Sequence, residues 1–294
     1  MIKDKDILTI SNLYKSLKIA YKKKRNIQIF LNKKKISNPK KIQLSYDLQS
    51  GSYIKKLIKL KKIDKKVFNF FNKTLTDNFR NINSILDFGT GELTRFMYVI
   101  DYLKRKSKIK YFACDLSLNR LFLGKNFYNS KILKNKIDLE TFTIDNMRIP
   151  LPDNSIDVVI TCHAIESNRK SMKSIIKELY RICKKNALII IKVPHPRHED
   201  FLSDPTHVRP ITVLGLSLFD QKLNKEWQKI GAANTPLGLI HDVNFNVENY
   251  EYVLDGDIMS KRNLDKLNDE ELQKMMLYNN NVIKQININL RVIK

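Results

Sequence analysis

The chain has 294 residues, of which 43% are hydrophobic, so it is long enough to bury one large core or a core domain with additions. None of its apolar runs approaches the roughly 18 residues of a membrane-spanning helix, and the first residues lack the apolar stretch of a secretory signal. Composition therefore predicts a soluble protein without a membrane span or a signal peptide.

The positive charge of the chain makes nucleic acid a conceivable partner that the sequence does not favour. The formal net charge is +24, but 42 of the 54 basic residues are lysine, whereas proteins that recognise bases and phosphates rely on arginine forks. The lysine clusters are instead interpreted as solvated helix faces. A basic surface of this size would still attract polyanions at low salt.

The cysteines indicate the cellular compartment in which the protein is located. Cys114, Cys162 and Cys183 are scattered and lack the spacing of a metal site or a disulfide framework. A sparse, odd number of cysteines is typical of a reducing environment, so a cytoplasmic location is predicted.

The chain has two parts that differ in composition and in hydrophobic pattern. Residues 1–82 are lysine-rich and carry apolar residues at mainly three- and four-residue steps, so we predict a helical N-terminal extension or cap. From residue 83 to 294, short apolar strands alternate with helices. The predicted strands are Ser84–Phe88, Lys110–Cys114, Leu139–Ile144, Ile156–Thr161, Ala187–Val193, Asn249–Leu254 and Gln285–Ile293. The predicted helices of this part are Glu92–Leu103, Leu116–Tyr128, Lys170–Cys183 and Asn268–Leu277.

This alternation predicts the fold class. Strands separated by helices of this length imply right-handed crossovers and a parallel sheet. The last two strands follow one another with a single helix between them, and the final one can insert antiparallel. We therefore predict an α/β fold, a doubly wound, mainly parallel seven-stranded sheet of the Rossmann-like type.

A glycine turn follows the first predicted strand. In the segment Ile85-Leu86-Asp87-Phe88-Gly89-Thr90-Gly91, two glycines are separated by one residue. Glycine allows the backbone to turn sharply and to approach a ligand without a Cβ in the way. In an open sheet, ligands bind at the carboxyl ends of the strands, so this turn is a candidate cofactor site.

Polar residues end the next two strands. The second strand ends in Asp115, where a carboxylate can accept hydrogen bonds from both hydroxyls of a ribose. The third ends in Asp145-Asn146-Met147, which can hydrogen-bond an adenine amine and pack against its face. The turn Ile149–Asp157 (IPLPDNSID) then leads into the fourth strand.

Taken in this order, the segments DFGTG, CDLS, DNMRIPLPDNSIDVVIT and ELYRICKKNALIIIKVP resemble class I S-adenosylmethionine-dependent methyltransferases of the small-molecule type (methyltransferase type 11-like). The resemblance covers about Ser84 to Pro194 and implies S-adenosyl-L-methionine as the cofactor. It places Asp87, Gly89 and Gly91 at the methionine end, Asp115 at the ribose, and Asp145, Asn146 and Met147 at the adenine, and Leu116 is a further cofactor-binding candidate. The chain departs from the family pattern at Leu93, where many members carry a third small residue, and at Glu92, which follows the turn directly.

Other interpretations of the same residues stay open. Asp87 could cap the turn, and Asp115 could be the N-cap of the next helix. Asp153 and Asn154 are interpreted as turn formers, and Asp157 as a residue of the strand entrance. A nicotinamide-dependent oxidoreductase is disfavoured, because the third glycine of its fingerprint is replaced by Thr94.

Candidate acceptor-side residues follow the fourth and fifth strands. His163, near Glu166, would face the reactive end of the cofactor, although a packing role is an equal alternative. A substrate loop is predicted over about residues 194–245. Within it, the DPTHVRP run resembles the acceptor-side loop of some methyltransferases. His198 or His207 is a candidate base there, with Arg197 or Arg209 holding an anionic group of the substrate.

Two other interpretations remain for the segment after the fifth strand, and one more candidate segment lies near the N-terminus. The polar residues after the fifth strand could form a solvated surface loop. A metal site built from His195, His198, His207 and Asp204 matches no known spacing, and no metal is predicted. Tyr46–Tyr53 is similar to a lid segment of some of these methyltransferases, so Gln49 or Tyr53 could close over the cofactor, with ordinary helix packing as the alternative.

The predicted function is transfer of a methyl group from S-adenosylmethionine to an oxygen or nitrogen of a small-molecule acceptor, with sugar- or lipid-linked acceptors among the candidates. The alternatives are an RNA- or ribosome-associated methyltransferase and a non-catalytic, methyltransferase-like binding module. The sequence leaves the acceptor and the oligomeric state open.

Overall fold

A computed structural model describes residues 74–75, 82–104, 109–134, 137–144, 148–257 and 266–294. Most of the predicted N-terminal extension, with Gln49 and Tyr53, lies outside these residues, as do Asp145, Asn146 and Met147. The chain divides into two compact units, one ending at residue 145 and the other running from 146 to 294. The predicted domain boundary after residue 82 stays a prediction.

Strands and helices alternate in the first unit. Its elements are β1 (Ser84–Phe88), α1 (Phe96–Lys104), β2 (Lys110–Asp115), α2 (Leu118–Lys134) and β3 (Asp138–Thr143). β2 pairs in parallel with β1 on one side and with β3 on the other. Every residue of β1 is buried, as is typical of a parallel strand covered on both faces.

The second unit carries the antiparallel part of the fold. Its elements are β4 (Ile156–Cys162), α3 (Met172–Ile182), β5 (Cys183–Pro194), α4 (Glu199–Leu202), α5 (Val213–Ser217), α6 (Gln221–Lys229), α7 (Leu237–His241), β6 (Phe245–Leu254), α8 (Asp269–Tyr278) and β7 (Ile283–Val292). β4 and β5 are parallel, and β7 pairs antiparallel with both β5 and β6.

The strands form one seven-stranded sheet in the order β3-β2-β1-β4-β5-β7-β6. This order confirms the predicted mainly parallel α/β sheet, and the antiparallel insertion of the last strand is confirmed as well. No helix in the described ranges is long and apolar enough to cross a membrane. All three cysteines lie in described strands, and each is a buried free thiol.

The segment predicted as a substrate loop contains helices α4 to α7. Three of these helices begin with side-chain caps, and the cap of α4 is His198. The Thr212 hydroxyl accepts a hydrogen bond from the backbone of Gly215, and the Asp220 carboxylate accepts from Lys222 and Leu223. Threonine and aspartate at such positions are ordinary signals of a helix start. The structure therefore corrects the prediction of a continuous loop over residues 194–245.

Gly124 allows helix α2 to approach the backbone that follows β1. A Cβ at this position would lie 2.5 Å from the carbonyl carbon of Glu92 and 2.6 Å from its oxygen. We expect Gly124→Ala to lower the free energy of unfolding by about 1–3 kcal/mol, because the backbone of Glu92 would have to shift to make room for the methyl group. This loss would outweigh the gain of about 1 kcal/mol that alanine brings to a helix.

Urea denaturation followed by circular dichroism measures this effect. The matched control is Gly256→Ala, since a Cβ there meets no atom within 4 Å. The control should stay within about 0.5 kcal/mol of the parent chain. Equal stability of Gly124→Ala and the parent would contradict the close approach.

Candidate functional site

The turn after β1 has the backbone that the sequence predicts. Gly89 and Gly91 take φ angles of +70° and +61°, in the left-handed region that favours glycine. The amides of Gly89 and Thr90 both donate to the carbonyl oxygen of Cys114, each at 2.9 Å, which ties the turn to the end of β2. The turn is therefore a fixed backbone cradle at the carboxyl ends of two strands.

The structure deviates from the predicted helix where the chain departs from the family pattern. Leu93, in the place of a third small residue, takes a φ of +56° and is fully buried. Helix α1 begins only at Phe96, whereas the sequence predicts a start at Glu92. A leucine in the left-handed region cannot continue a right-handed helix, so the turn extends by several residues.

Asp115 joins the end of β2 to the glycine turn. One carboxylate oxygen, Oδ2, accepts a hydrogen bond from the amide of Gly91 at 2.7 Å, and Oδ1 accepts from the amide of Ser117 at 3.0 Å. The N-cap of α2 is Ser117, whose hydroxyl accepts from the amide of Arg120 at 3.2 Å, so the N-cap interpretation of Asp115 is wrong. Each carboxylate oxygen keeps a second lone pair, so half-buried Asp115 can still accept two hydroxyls.

Asp87 lies beneath the turn and is fully buried. Its carboxylate accepts hydrogen bonds from the hydroxyls of Thr90 and Tyr111 and from the Arg95 guanidinium, with Nε 3.1 Å from Oδ1. The same guanidinium also donates to the carbonyl oxygen of Gly89. Asp87 therefore supports the turn through Arg95, and its direct contact with a cofactor stays a prediction.

Two arginines that sequence reasoning missed lie against this turn. The side chain of Arg95 is largely buried, and Arg120 Nε lies 3.8 Å from a carboxylate oxygen of Glu92. The guanidinium carbon of Arg120 would be 3.5 Å from a Cβ at Gly91. Neither arginine carries a distinctive sequence signal, because a single arginine matches no motif and only the fold brings these two to the glycines.

These residues fit S-adenosylmethionine. The turn has no Cβ at two positions, Asp115 supplies acceptors for ribose hydroxyls, and cationic side chains lie beside the turn. Leu116 is half-buried next to Asp115. The predicted adenine contacts of Asp145, Asn146 and Met147 lie outside the described residues and stay predictions.

In the second unit, two histidines face one buried carboxylate. His163 leaves β4 with a φ of +50°, and its side chain is 53% exposed. Its Nδ1 lies 3.8 Å from Oε1 of Glu166, and Nε2 of His207 lies 4.0 Å from the same oxygen. The structure thus brings together two of the three predicted catalytic histidines.

His207 is the more enclosed of the two. Its Nδ1 lies 3.0 Å from the carbonyl oxygen of Phe201 and must donate, because a carbonyl only accepts. The ring stacks on Phe201 with centroids 5.4 Å apart, and the next amide, of Val208, donates to the carbonyl of Glu166. The chain after α4 is therefore docked on the segment that follows β4.

His198 has a structural role. Its Nδ1 accepts from the amide of Asp200 at 3.0 Å and caps α4, so its Nε2 carries the hydrogen and lies 3.2 Å from Oδ2 of Asp255. The ring is buried and both nitrogens are engaged. This geometry disfavours His198 as a base, because acting as one would break the cap.

The predicted metal alternative has no geometric support. Burial lowers the pKa of His195 to about 4, with further lowering by Arg197 and His198. The rings of His198 and His207 are directed at separate partners, as described above. Within the described ranges, no three potential ligands converge.

Both arginines predicted to bind substrate hold backbone carbonyls. Arg197 donates to the carbonyls of Leu277, at 2.6 Å, and Met276 at the end of α8. Arg209 donates to the carbonyls of Ile165, at 2.9 Å, and Lys170. Cations at the C-terminal end of a helix are stabilising, so the position of Arg197 is explained by its contact with α8. Its contact with substrate stays a prediction.

The IPLPDNSID turn is held by Arg181 of α3. Its guanidinium donates to the carbonyls of Ile149 and Leu151, each at 2.9 Å, and to the carboxylates of Asp153 and Glu178. These carboxylate bonds are the largest cause of the raised pKa of Arg181, that of Glu178 first. Asp153 is therefore an ion-pair partner as well as a turn residue.

Asn154 and Asp157 of this turn match their predicted roles. Asn154 takes a φ of +52°, as a turn former does. At the start of β4, Asp157 accepts from the Lys184 ammonium at 2.8 Å, in agreement with a role at the strand entrance.

The glycine turn and β2 lie in the part of the chain that matches a known family. Residues 86–191 match a methyltransferase-domain family. No curated protein matches the sequence. Among solved structures, the YcgJ protein of Bacillus subtilis is similar with a TM-score of 0.50 and 15% identity, over 79% of this chain and all of that one.

Two further similar structures are S-adenosylmethionine-dependent methyltransferases. The enzyme of Archaeoglobus fulgidus has 16% identity and a TM-score of 0.47, over 81% of this chain and 99% of that one. The enzyme of Aquifex aeolicus has 15% identity and a TM-score of 0.45, over 79% of this chain and 100% of that one. The likeness to YcgJ supports the fold, and the family match supports the chemistry. The chain therefore carries, over residues 86–191, the domain of a class I methyltransferase that uses S-adenosylmethionine.

Proposed function

We propose that this methyltransferase acts on an oxygen or nitrogen atom of a small-molecule acceptor, with His163 as the base that removes the acceptor's proton. The observation that carries the proposal is the half-exposed imidazole of His163 beside the buried carboxylate of Glu166. S-adenosylmethionine supplies an electrophilic methyl group on a positively charged sulfur. A hydroxyl or ammonium acceptor must lose a proton to accept that group.

The arrangement suits a base better than a packing residue. With Nδ1 directed at Glu166, Nε2 is the nitrogen of His163 that we propose takes the acceptor's proton. A buried carboxylate stabilises the imidazolium that forms when the ring takes up a proton. The separation of 3.8 Å exceeds a hydrogen bond, and contacts of this kind commonly shorten when substrate binds. Glu166 is therefore proposed as the positioning residue.

The test combines a labelled-methyl assay on fractionated extract with His163→Gln. Glutamine keeps a polar side chain but cannot act as a base at neutral pH. We expect kcat to fall by about 100- to 10,000-fold, while the Kd for S-adenosylmethionine stays within about twofold. The acid limb of the kcat/KM profile should also disappear.

Arg169→Gln is the matched control, because Arg169 is an exposed residue of the same segment. It should leave kcat and the pH profile unchanged. An unaltered pH profile in His163→Gln would exclude His163 as the base. Methyl incorporation that is confined to RNA and lost on ribonuclease treatment would overturn the small-molecule acceptor.

A further inference from the structure

A cavity of about 380 Å³ opens beside the start of α3 and helices α5 and α7. Its size falls within the range of about 300–1,000 Å³ typical of small-molecule sites. All of its lining residues belong to the second unit. Apart from Met172 and Lys173, its lining residues belong to the segment of about residues 194–245 that the sequence predicts to contact the substrate.

The floor of the cavity is apolar. Ile211, Leu216 and Phe219 are almost fully buried, and Met172 and Leu237 extend the wall. A concave apolar surface of this kind favours a hydrocarbon portion of a ligand, because burying it removes apolar area from water.

The rim is cationic. Its positive charge comes from Lys173 and Arg209, with the imidazole of His241 beside them, and none of the described residues around this cavity is acidic. A larger cavity of about 610 Å³ on the same unit also has basic lining residues, but there Glu178 and Asp242 stand among them. The smaller cavity is therefore the one whose charge is complementary to an anion.

Arg209 links this rim to the proposed base. Its guanidinium and backbone amide bond to the carbonyls of Ile165 and Glu166, in the segment that carries His163. A guanidinium has five N–H donors, so the two nitrogens bonded to carbonyls retain donors for a ligand. Burial also lowers the pKa of Arg209, a cost that a bound anion would offset.

We propose that this cavity binds the acceptor and that the acceptor is an amphiphilic anion, a hydrocarbon chain with a phosphate or carboxylate head. The chain lies on the apolar floor, and the head contacts Lys173 and Arg209. Identification of the ligand as the acceptor rests on the proposed function, whereas binding itself does not require turnover.

Calorimetric titration of the full chain tests the binding. The probes are octyl phosphate, octanoate, octyltrimethylammonium and inorganic phosphate. We expect octyl phosphate to bind with a Kd at least about tenfold below that of inorganic phosphate or of the ammonium probe. Equal binding of the cationic and anionic amphiphiles would overturn the proposal, because only apolar contact would then be at work. Binding of octanoate would identify a carboxylate head as sufficient, and its failure beside octyl phosphate would restrict the head to phosphate.

Two charge reversals on the same helix locate the site. Lys173→Glu should weaken octyl phosphate binding by about tenfold. Lys177→Glu, one turn further along α3 and outside this lining, should change it by less than about twofold. Equal weakening by both would mean general attraction to a basic surface and would overturn the site.

The two proposals can fail separately. If His163→Gln still turns over normally while octyl phosphate binds as expected, only the catalytic assignment of His163 is wrong. If turnover depends on His163 but neither octyl phosphate nor octanoate binds, only the ligand class is wrong.

Discussion

Asp115→Ala should weaken the binding of S-adenosylmethionine by about a hundredfold. The carboxylate accepts from the amides of Gly91 and Ser117 and retains lone pairs for ribose hydroxyls. Alanine removes both kinds of contact. The glycine turn then loses its hydrogen bonds to the Asp115 carboxylate, and the ribose of the cofactor loses its acceptor. Calorimetric titration with S-adenosylmethionine measures the change in Kd.

Asp138→Ala is the control for this variant. Asp138 is also an aspartate of the first unit, but it is exposed on β3 and lies 4.0 Å from Lys110. Its removal should leave the Kd within about twofold, as expected for an exposed pair. Asp115→Asn, which keeps one carbonyl acceptor, should fall between the two. An unchanged Kd in a folded Asp115→Ala chain would remove Asp115 from the cofactor site.

Asp87→Ala should cost about 3–5 kcal/mol of unfolding free energy, because it breaks a buried ion pair from one side. Asp87 is fully buried and Arg95 nearly so, and the alanine variant would leave Arg95, Thr90 and Tyr111 without their shared acceptor. A charge left without its partner in a buried site costs more than the pair contributes. Urea denaturation measures the loss, and weaker binding of S-adenosylmethionine should accompany it.

A second substitution separates charge from shape at this position. Asp87→Asn preserves the volume and one acceptor, so it should destabilise the chain less than alanine does. The exposed pair of Lys110 and Asp138 gives the contrast, and its loss should cost at most about 1 kcal/mol. If Asp87→Ala and Asp138→Ala were equally stable, Asp87 would not be the support of the glycine turn.

The central strands of the sheet were predictable from the sequence because β1, β4 and the second half of β5 are largely apolar runs. The predicted bounds of Ser84–Phe88 match β1, whose residues are all buried. The glycine turn was predictable for a related reason, since two glycines after a strand have few other uses. Local chemistry and the fold agree at these positions.

The roles of the polar side chains were harder to predict. His198 and Arg197 have the chemistry of a substrate site, but the structure shows His198 capping α4 and Arg197 binding backbone carbonyls. The same donors and acceptors serve a ligand or an unsatisfied backbone group, and only the fold decides between these uses. Helices α5 and α7 were missed because each has five residues, too few for helical periodicity to show.

The position of β7 has a consequence for how the protein is made. β7 is synthesised after β6 but lies between β5 and β6 in the sheet. Among the described strands, β6 pairs with β7 alone. While the ribosome is still translating the residues of β7, β6 has no place in the sheet and the outer edge of β5 is open. Such edges are prone to aggregate, so the open edge of β5 needs protection, for example by chaperones, until β7 has paired with it.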